Sequence, residues 1–271
     1  MVLSRWQSTL LCLSQLNLSR SLTFHRGLVG PIDRKAPSSS VLFLETSPVQ
    51  SIAPSYQQKV SPKDHDDILI QLGYVPSNLV TVSARRGEFG TPLALKTYPL
   101  DGGASRRKAK ARGKLTPFPT LYWFCCPVVG KALADLERRG YVGLLEQKLL
   151  EVPNALEIFI RSHEEYAEER WNSLTSNHMQ MLENRVGDMN EGMADMIKNS
   201  GIAGTDFKSF SPIIGKAEGE RIGNPSIKCL HAHYAHYRSQ IEGKTITPEN
   251  KNIVGEWIHE ILESEFPDLI I

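Results

Sequence analysis

The chain has 271 residues, a formal net charge of +1 and 41% hydrophobic residues, an ordinary globular composition that excludes a disordered chain and a general polyanion binder. Four cysteines without framework spacing exclude a disulfide-stapled secreted scaffold. No run approaches the roughly 20 apolar residues of a membrane span, so the reading is of a soluble protein.

Arg5, Arg20 and Arg26 fall in a stretch whose first acid is Asp33 and which also carries five serines. Arg- and Ser-rich, acid-poor composition is that of a mitochondrial or plastid transit peptide. Residues 1–45 are therefore assigned to a presequence and the start of a linker, and 46–62 to the linker. A single globular domain is expected over 63–264.

Asp64 to Gly73 reads as a short helix ended by its glycine. Leu79 to Val82 and Leu93 to Tyr98 read as strands around the turn Gly87 to Gly90, and Leu121 to Phe124 as a buried strand. Between them, residues 101–116 form an insertion carrying Arg106, Arg107, Lys108, Lys110, Arg112 and Lys114. Without interleaved aromatics, and in a near-neutral chain, this loop reads as solvated rather than as a nucleic-acid contact.

From Pro127 onward the pattern is helical, over 127–139, 142–150, 154–184, 186–199, 227–242 and 248–264. An irregular insertion covers 206–226. The last helix has one apolar face of Ile253, Val254, Trp257, Ile258, Ile261 and Leu262, with Thr247 and Pro248 suited to its N-cap and first turn. The fold class is α+β and predominantly helical, a small N-terminal strand region followed by a helical C-terminal two-thirds.

Three places carry residues that neither a plain core nor a plain surface explains. Cys126 follows an apolar strand and precedes Pro127, which puts it at a helix N-cap. There the helix dipole favours a thiolate, so a nucleophile, a metal ligand or a buried small hydrophobe all fit. On the helix around 157–174, His163, Tyr166 and Arg170 share a side with Phe159, Ala167 and Leu174, opposite five glutamates. Arg170 should point inward and needs a partner, either a structural one or an anionic ligand.

The third place is Cys229-Leu230-His231-Ala232-His233-Tyr234-Ala235-His236. On a regular helix Cys229, His233 and His236 fall at i, i+4 and i+7, while His231 lies elsewhere. If the helix begins only near residue 231, Cys229 and His231 share the entering turn and can chelate together. Zinc accepts both residue types.

Phe118 to Pro127, His163-Glu164-Glu165-Tyr166 with Arg170, and Ile227 to His231 with His236 occur in an order that resembles the mostly bacterial family known as domain of unknown function 501. Asn252-Ile253-Val254-Gly255 resembles that family's closing motif, and Arg86 to Pro92 its opening. The resemblance covers about residues 62–262 and implies a single domain without an assigned activity. It matches Cys126, His163, Arg170, Cys229, His231 and His236, and leaves out His233. One cysteine of the family pattern stands here as Gly87, so a cluster held by three cysteines and a histidine would lack a ligand.

Three readings follow. In one, an enzyme acts on an anionic, phosphate- or carboxylate-bearing small molecule: Cys126 is nucleophile, His163 or His231 moves the proton, and Arg86 and Arg170 clamp the anion. In the second, Cys126, Cys229, His231 and His236 hold zinc or iron. A non-catalytic assembly factor with a structural polar network is the third alternative.

Overall fold

The computed structural model describes residues 60–87, 90–102, 115–184, 191–210 and 223–269, all within the compact unit Ser51–Ile271. The expected presequence, the linker up to residue 59, the basic loop over 103–114 and much of the second insertion lie outside the described residues.

Helix α1 (Pro62–Leu72) begins where Ser61 accepts a hydrogen bond from the Asp64 N–H and Pro62 presets the first turn. It stops at Gly73, whose left-handed backbone (φ 75°) a side chain would strain. An antiparallel sheet follows, in the order β1 (Leu79–Arg86), β2 (Thr91–Thr97), β3 (Tyr122–Phe124). β1 runs on to Arg86, past the expected apolar stretch. Its pairing with β2 is irregular in three places, and such bulges break the apolar alternation by which a strand is read from sequence.

The remaining helices are α2 (Pro127–Arg138), α3 (Tyr141–Glu151), α4 (Ala155–Asn172), α5 (Ser176–Glu183), α6 (Glu191–Asn199), α7 (Leu230–Gly243) and α8 (Ile253–Glu265). The expected single helix over 154–184 is two, because Thr175 caps a new start by accepting the His178 N–H at 3.3 Å. The last helix also begins later than expected. Thr247 closes a turn by accepting the Asn250 N–H, and Asn252 is the N-cap, taking the Gly255 N–H at 3.0 Å.

Helix α7 organises the domain. Ser239 bonds Ser83 of β1 at 2.8 Å, His236 stacks on Tyr122 of β3, and α8 crosses close by. That crossing requires Gly255: a Cβ there would meet Tyr237 Cβ at 2.3 Å and the His233 carbonyl at 2.7 Å. Sheet, α2, α4, α7 and α8 share one apolar core running from Ala84 and Leu93 through Val129, Leu133, Phe159 and Tyr234 to Trp257 and Leu262. The fold is α+β, mostly helical, with its three strands between α1 and the run of helices that follows. Among the described residues no helix is long and apolar enough to cross a membrane.

Candidate metal centre

The side of α4 that faces inward is the one its periodicity marks: Phe159, His163, Tyr166, Ala167 and Arg170 are all buried. Arg170 is fully buried, and carbonyl oxygens surround it. Its Nε and Nη2 donate to the Ile197 carbonyl at 2.8 and 2.6 Å, and Nη1 donates to the Pro119 carbonyl at 3.0 Å. Nη2 also reaches the Met196 and Ser200 carbonyls. Met196 and Ile197 sit in the last turn of α6, where carbonyls lack helical partners and the dipole is negative. Arg170 thus caps α6 from inside the core, with the Tyr166 ring 5.5 Å from its guanidinium carbon. Arg86 donates from Nε to the Leu269 carbonyl at 2.8 Å. Arg86 and Arg170, the residues expected as an anion clamp, both grip backbone oxygens in this structure.

Cys126 is the N-cap of α2, as its place before Pro127 implies, yet its side chain makes no cap bond and is buried in the main core. Cys125 turns into the separate cluster of Ile68, Leu79 and Leu95, and burial pushes its thiol well above the usual range. Cys126, expected as a nucleophile, is thus a buried thiol of the main core.

His163 is enclosed too. Its Nδ1 accepts the Ile202 N–H at 2.9 Å, which leaves the proton on Nε2. A Cβ at Gly201 would lie 2.3 Å from that Nδ1, so only glycine lets the chain pass this close. His233 stands edge-on to His163, ring centres 5.5 Å apart. Its Nδ1 lies 3.1 Å from Asn252 Oδ1.

Asn252 fixes two of the three histidines of α7, His233 and His236. Its Nδ2 donates to the His233 carbonyl at 3.0 Å and to His236 Nδ1 at 3.2 Å, while Oδ1 takes the Gly255 N–H and the His233 Nδ1–H. His233 therefore carries its proton on Nδ1 and His236 on Nε2. Among the described residues the Nε2 atoms of His163 and His233 have no hydrogen-bond partner, and they are complementary, an N–H and a lone pair.

All three rings are held neutral. Burial drives His163 well below its ordinary range, with His233 and His236 adding to the effect. Burial lowers His233 to about 4 against a partial lift from Asn252, and burial with His233 nearby lowers His236 to about 3. Tyr122 stacks on His236, and Tyr166 meets it edge-on.

The N-terminal end of α7 is different. Cys229 is the N-cap, in extended backbone with φ −161°, so it leaves the helical wheel and joins His231 in the entering turn. Glu137, near the end of α2, completes the group: one donor atom each from Glu137, Cys229 and His231 all lie within 4.8 Å of one another. Among the described residues these are the three that gather in this way. The expected quartet of Cys126, Cys229, His231 and His236 is corrected. Cys126 lies in the core, and His236 faces inward half-way along α7.

The geometry of this trio is specific. His231 Nε2 meets the Gly130 carbonyl of α2 at 3.1 Å, and Nδ1 faces Glu137 Oε1 at 3.2 Å. Glu137 Oε1 also takes the Leu230 N–H at 2.8 Å, a cap that Cys229 does not supply. The Phe124 ring lies edge-on to His231. Burial pulls the His231 imidazole down, but the Cys229 thiol and the Glu137 carboxylate beside it outweigh that and lift it to about 9. All three residues are partly exposed. Glu137 was not legible as a site residue. Its one signal is that Gly130, Leu133 and Glu137 share a side of α2 at i, i+3 and i+7.

Comparison with known proteins adds the family. No curated protein and no solved structure matches the chain. The family profile described as protein of unknown function (DUF501) matches residues 83–260, which takes in Arg86, Cys126, Glu137, His163, Arg170, Cys229, His231, His236 and Asn252. Across about two-thirds of its length, from within β1 to within α8, this chain belongs to the DUF501 family.

Proposed function

We propose that the protein binds a transition metal, zinc or ferrous iron, through Glu137, Cys229 and His231. The observation that carries this reading is the convergence of oxygen, sulfur and nitrogen donors within 4.8 Å. Zinc ligands of these types sit about 2.0–2.3 Å from the metal, so rotamer adjustment closes the trio around one ion. A metal-binding histidine usually donates its second N–H to a carbonyl or carboxylate, which fixes the coordinating nitrogen. His231 is placed for this: Nε2–H on the Gly130 carbonyl leaves the Nδ1 lone pair facing Glu137. A metal would take the place that a proton holds between them.

Three protein ligands leave a coordination position open, the arrangement of sites that bind a water or a substrate rather than of closed structural sites. An organellar address goes with this proposal, on the strength of the Arg-containing, acid-free first 32 residues. Mass spectrometry of the protein from its source should then find a new N-terminus between about residues 26 and 45.

A second reading uses the same side chains. Cys229 would be the nucleophile and His231 the proton acceptor beside it, with Glu137 against the same imidazole. Elemental analysis of untagged protein separates the two. The metal reading expects close to one zinc or iron per chain, lost in Cys229→Ser and in His231→Ala and retained in Cys126→Ser. Metal-free wild type whose Cys229 alone reacts rapidly with iodoacetamide would replace it by the thiol reading.

A further inference from the structure

A groove of about 710 Å3 runs between α4 and the C-terminal half of α7, closed at one end by the turn after α7. Glu164, Glu165, Glu168 and Glu169 of α4 form one wall together with Arg161, and His236 and Gln240 of α7 contribute the other. These glutamates are not equivalent. Glu165 pairs with Arg161 at 3.3 Å, and Glu169 binds Lys96 at 2.7 Å and the Tyr122 hydroxyl at 2.6 Å. Glu164 and Glu168 have no ion-pair partner among the described residues, and one helical turn apart they repel each other. An acidic helix face of this kind is common as a solvated surface.

His236 makes this face more than that. The residue is 3% exposed, yet it lines the groove. Its Nδ1 accepts from Asn252, so Nε2 carries the hydrogen, and that edge is the one left to face the groove. Among the described residues the Nε2–H donates to nothing. Asn252 holds the ring in this tautomer, so the N–H stands as a donor open to whatever fills the groove. The groove therefore calls for two partners along one cleft: a hydrogen-bond acceptor at its floor and a cation at its rim. A polyamine meets only the second, since its protonated amines accept nothing. A peptide carrying lysine or arginine meets both, with a backbone carbonyl for the floor and a side-chain cation for the rim. The volume also lies within the usual range of ligand clefts, about 300–1,000 Å3.

We propose that the groove between α4 and α7 binds a basic peptide segment, with a peptide carbonyl on His236 Nε2–H and a lysine or arginine between Glu164 and Glu168. This goes beyond the metal reading and does not depend on it. The site lies five residues further along α7 than His231, and a chelator should leave it intact.

The test is titration of the purified chain with acetyl-Gly-Arg-Gly-Lys-Gly-amide, followed by calorimetry and by the imidazole signals of 15N-histidine-labelled protein. The expected result is saturable binding, a shift of the His236 Nε2–H resonance, and at least tenfold weaker binding in the double variant E164Q/E168Q. Both positions are exposed, so that variant folds. Spermine should bind more weakly and leave the His236 resonance in place. If spermine binds as well as the peptide without moving that resonance, the groove is only a diffuse negative surface and the proposal is overturned. Absence of saturable binding, or equal affinity in E164Q/E168Q, overturns it as well.

Discussion

His231 and His233 are two residues apart on one helix and have opposite fates. His231, at the open N-terminal end of α7, meets a thiol and a carboxylate and is lifted to about 9. His233, with His236 and His163, lies inside the core and is lowered to about 4, with uncharged partners only. Burial lowers every one of these rings. What separates them is whether an acidic neighbour comes with the burial. On the proposed reading the open end exchanges a proton for a metal, whereas the closed interior can only be protonated by coming apart.

The largest effect expected from this contrast is acid lability. His163, His233 and His236 have folded-state values below 6.5, so the unfolded chain binds more protons than the folded one as the pH falls. The stability they permit is complete above pH 6.5 and is lost below it, at about 1.4 kcal/mol per group per pH unit, or up to about 4 for three. His231 has the opposite sign: its contribution is complete below pH 6.5 and fades as the pH passes about 9. Urea unfolding between pH 4.5 and 8 should show a steep acid limb. A flat profile there would mean that the three rings are not held neutral in the core.

Next in size is Arg170→Ala, expected to cost about 3–5 kcal/mol because it strands the buried carbonyls at the end of α6. Arg170→Lys should recover part of that loss, since an ammonium reaches fewer of these oxygens than the planar fork does. Added phosphate or carboxylate metabolites should leave the melting temperature unchanged in all three proteins. A wild-type shift that Arg170→Lys abolishes would restore the anion-clamp expectation and contradict the cap.

Smaller, and specific to the closed half, is Asn252→Ala. It removes an N-cap worth about 0.5–2 kcal/mol and the amide that fixes the His233 and His236 tautomers. Histidine 15N spectra should show both rings altered in this variant and His231 unchanged. An altered His231 would show that the two halves of α7 are coupled.

Much of this was legible in the sequence where one face of an element meets the core. The apolar stripe of α8 and the inward side of α4, with His163 and Arg170 on it, follow from a 3.6-residue period alone. α7 could not be read that way because it is buried nearly all round: Leu230, His233, Tyr234, Ala235, His236 and Tyr237 all lie inside. A wheel assigns sides only when one side is wet, so the trio Cys229, His233 and His236 was a product of assuming a regular start. The pairing of Cys229 with His231 depended on the alternative start, near residue 231, and the helix begins at Leu230. Glu137 and Asn252 were out of reach for another reason. Each acts on a helix remote in sequence or through a cap, and neither breaks the pattern of its own segment. Arg170's partners were equally hidden, since carbonyls carry no residue identity.

Cobalt substitution tests the central claim most directly, because thiolate coordination to Co(II) gives a near-ultraviolet charge-transfer band. The account predicts that metal-free protein titrated with Co(II) develops this band at one equivalent. It predicts that Cys126→Ser retains the band, that Cys229→Ser loses it, and that Glu137→Gln alters the visible ligand-field spectrum. A band that survives Cys229→Ser, or no band in wild type, would contradict a metal centre at Glu137, Cys229 and His231.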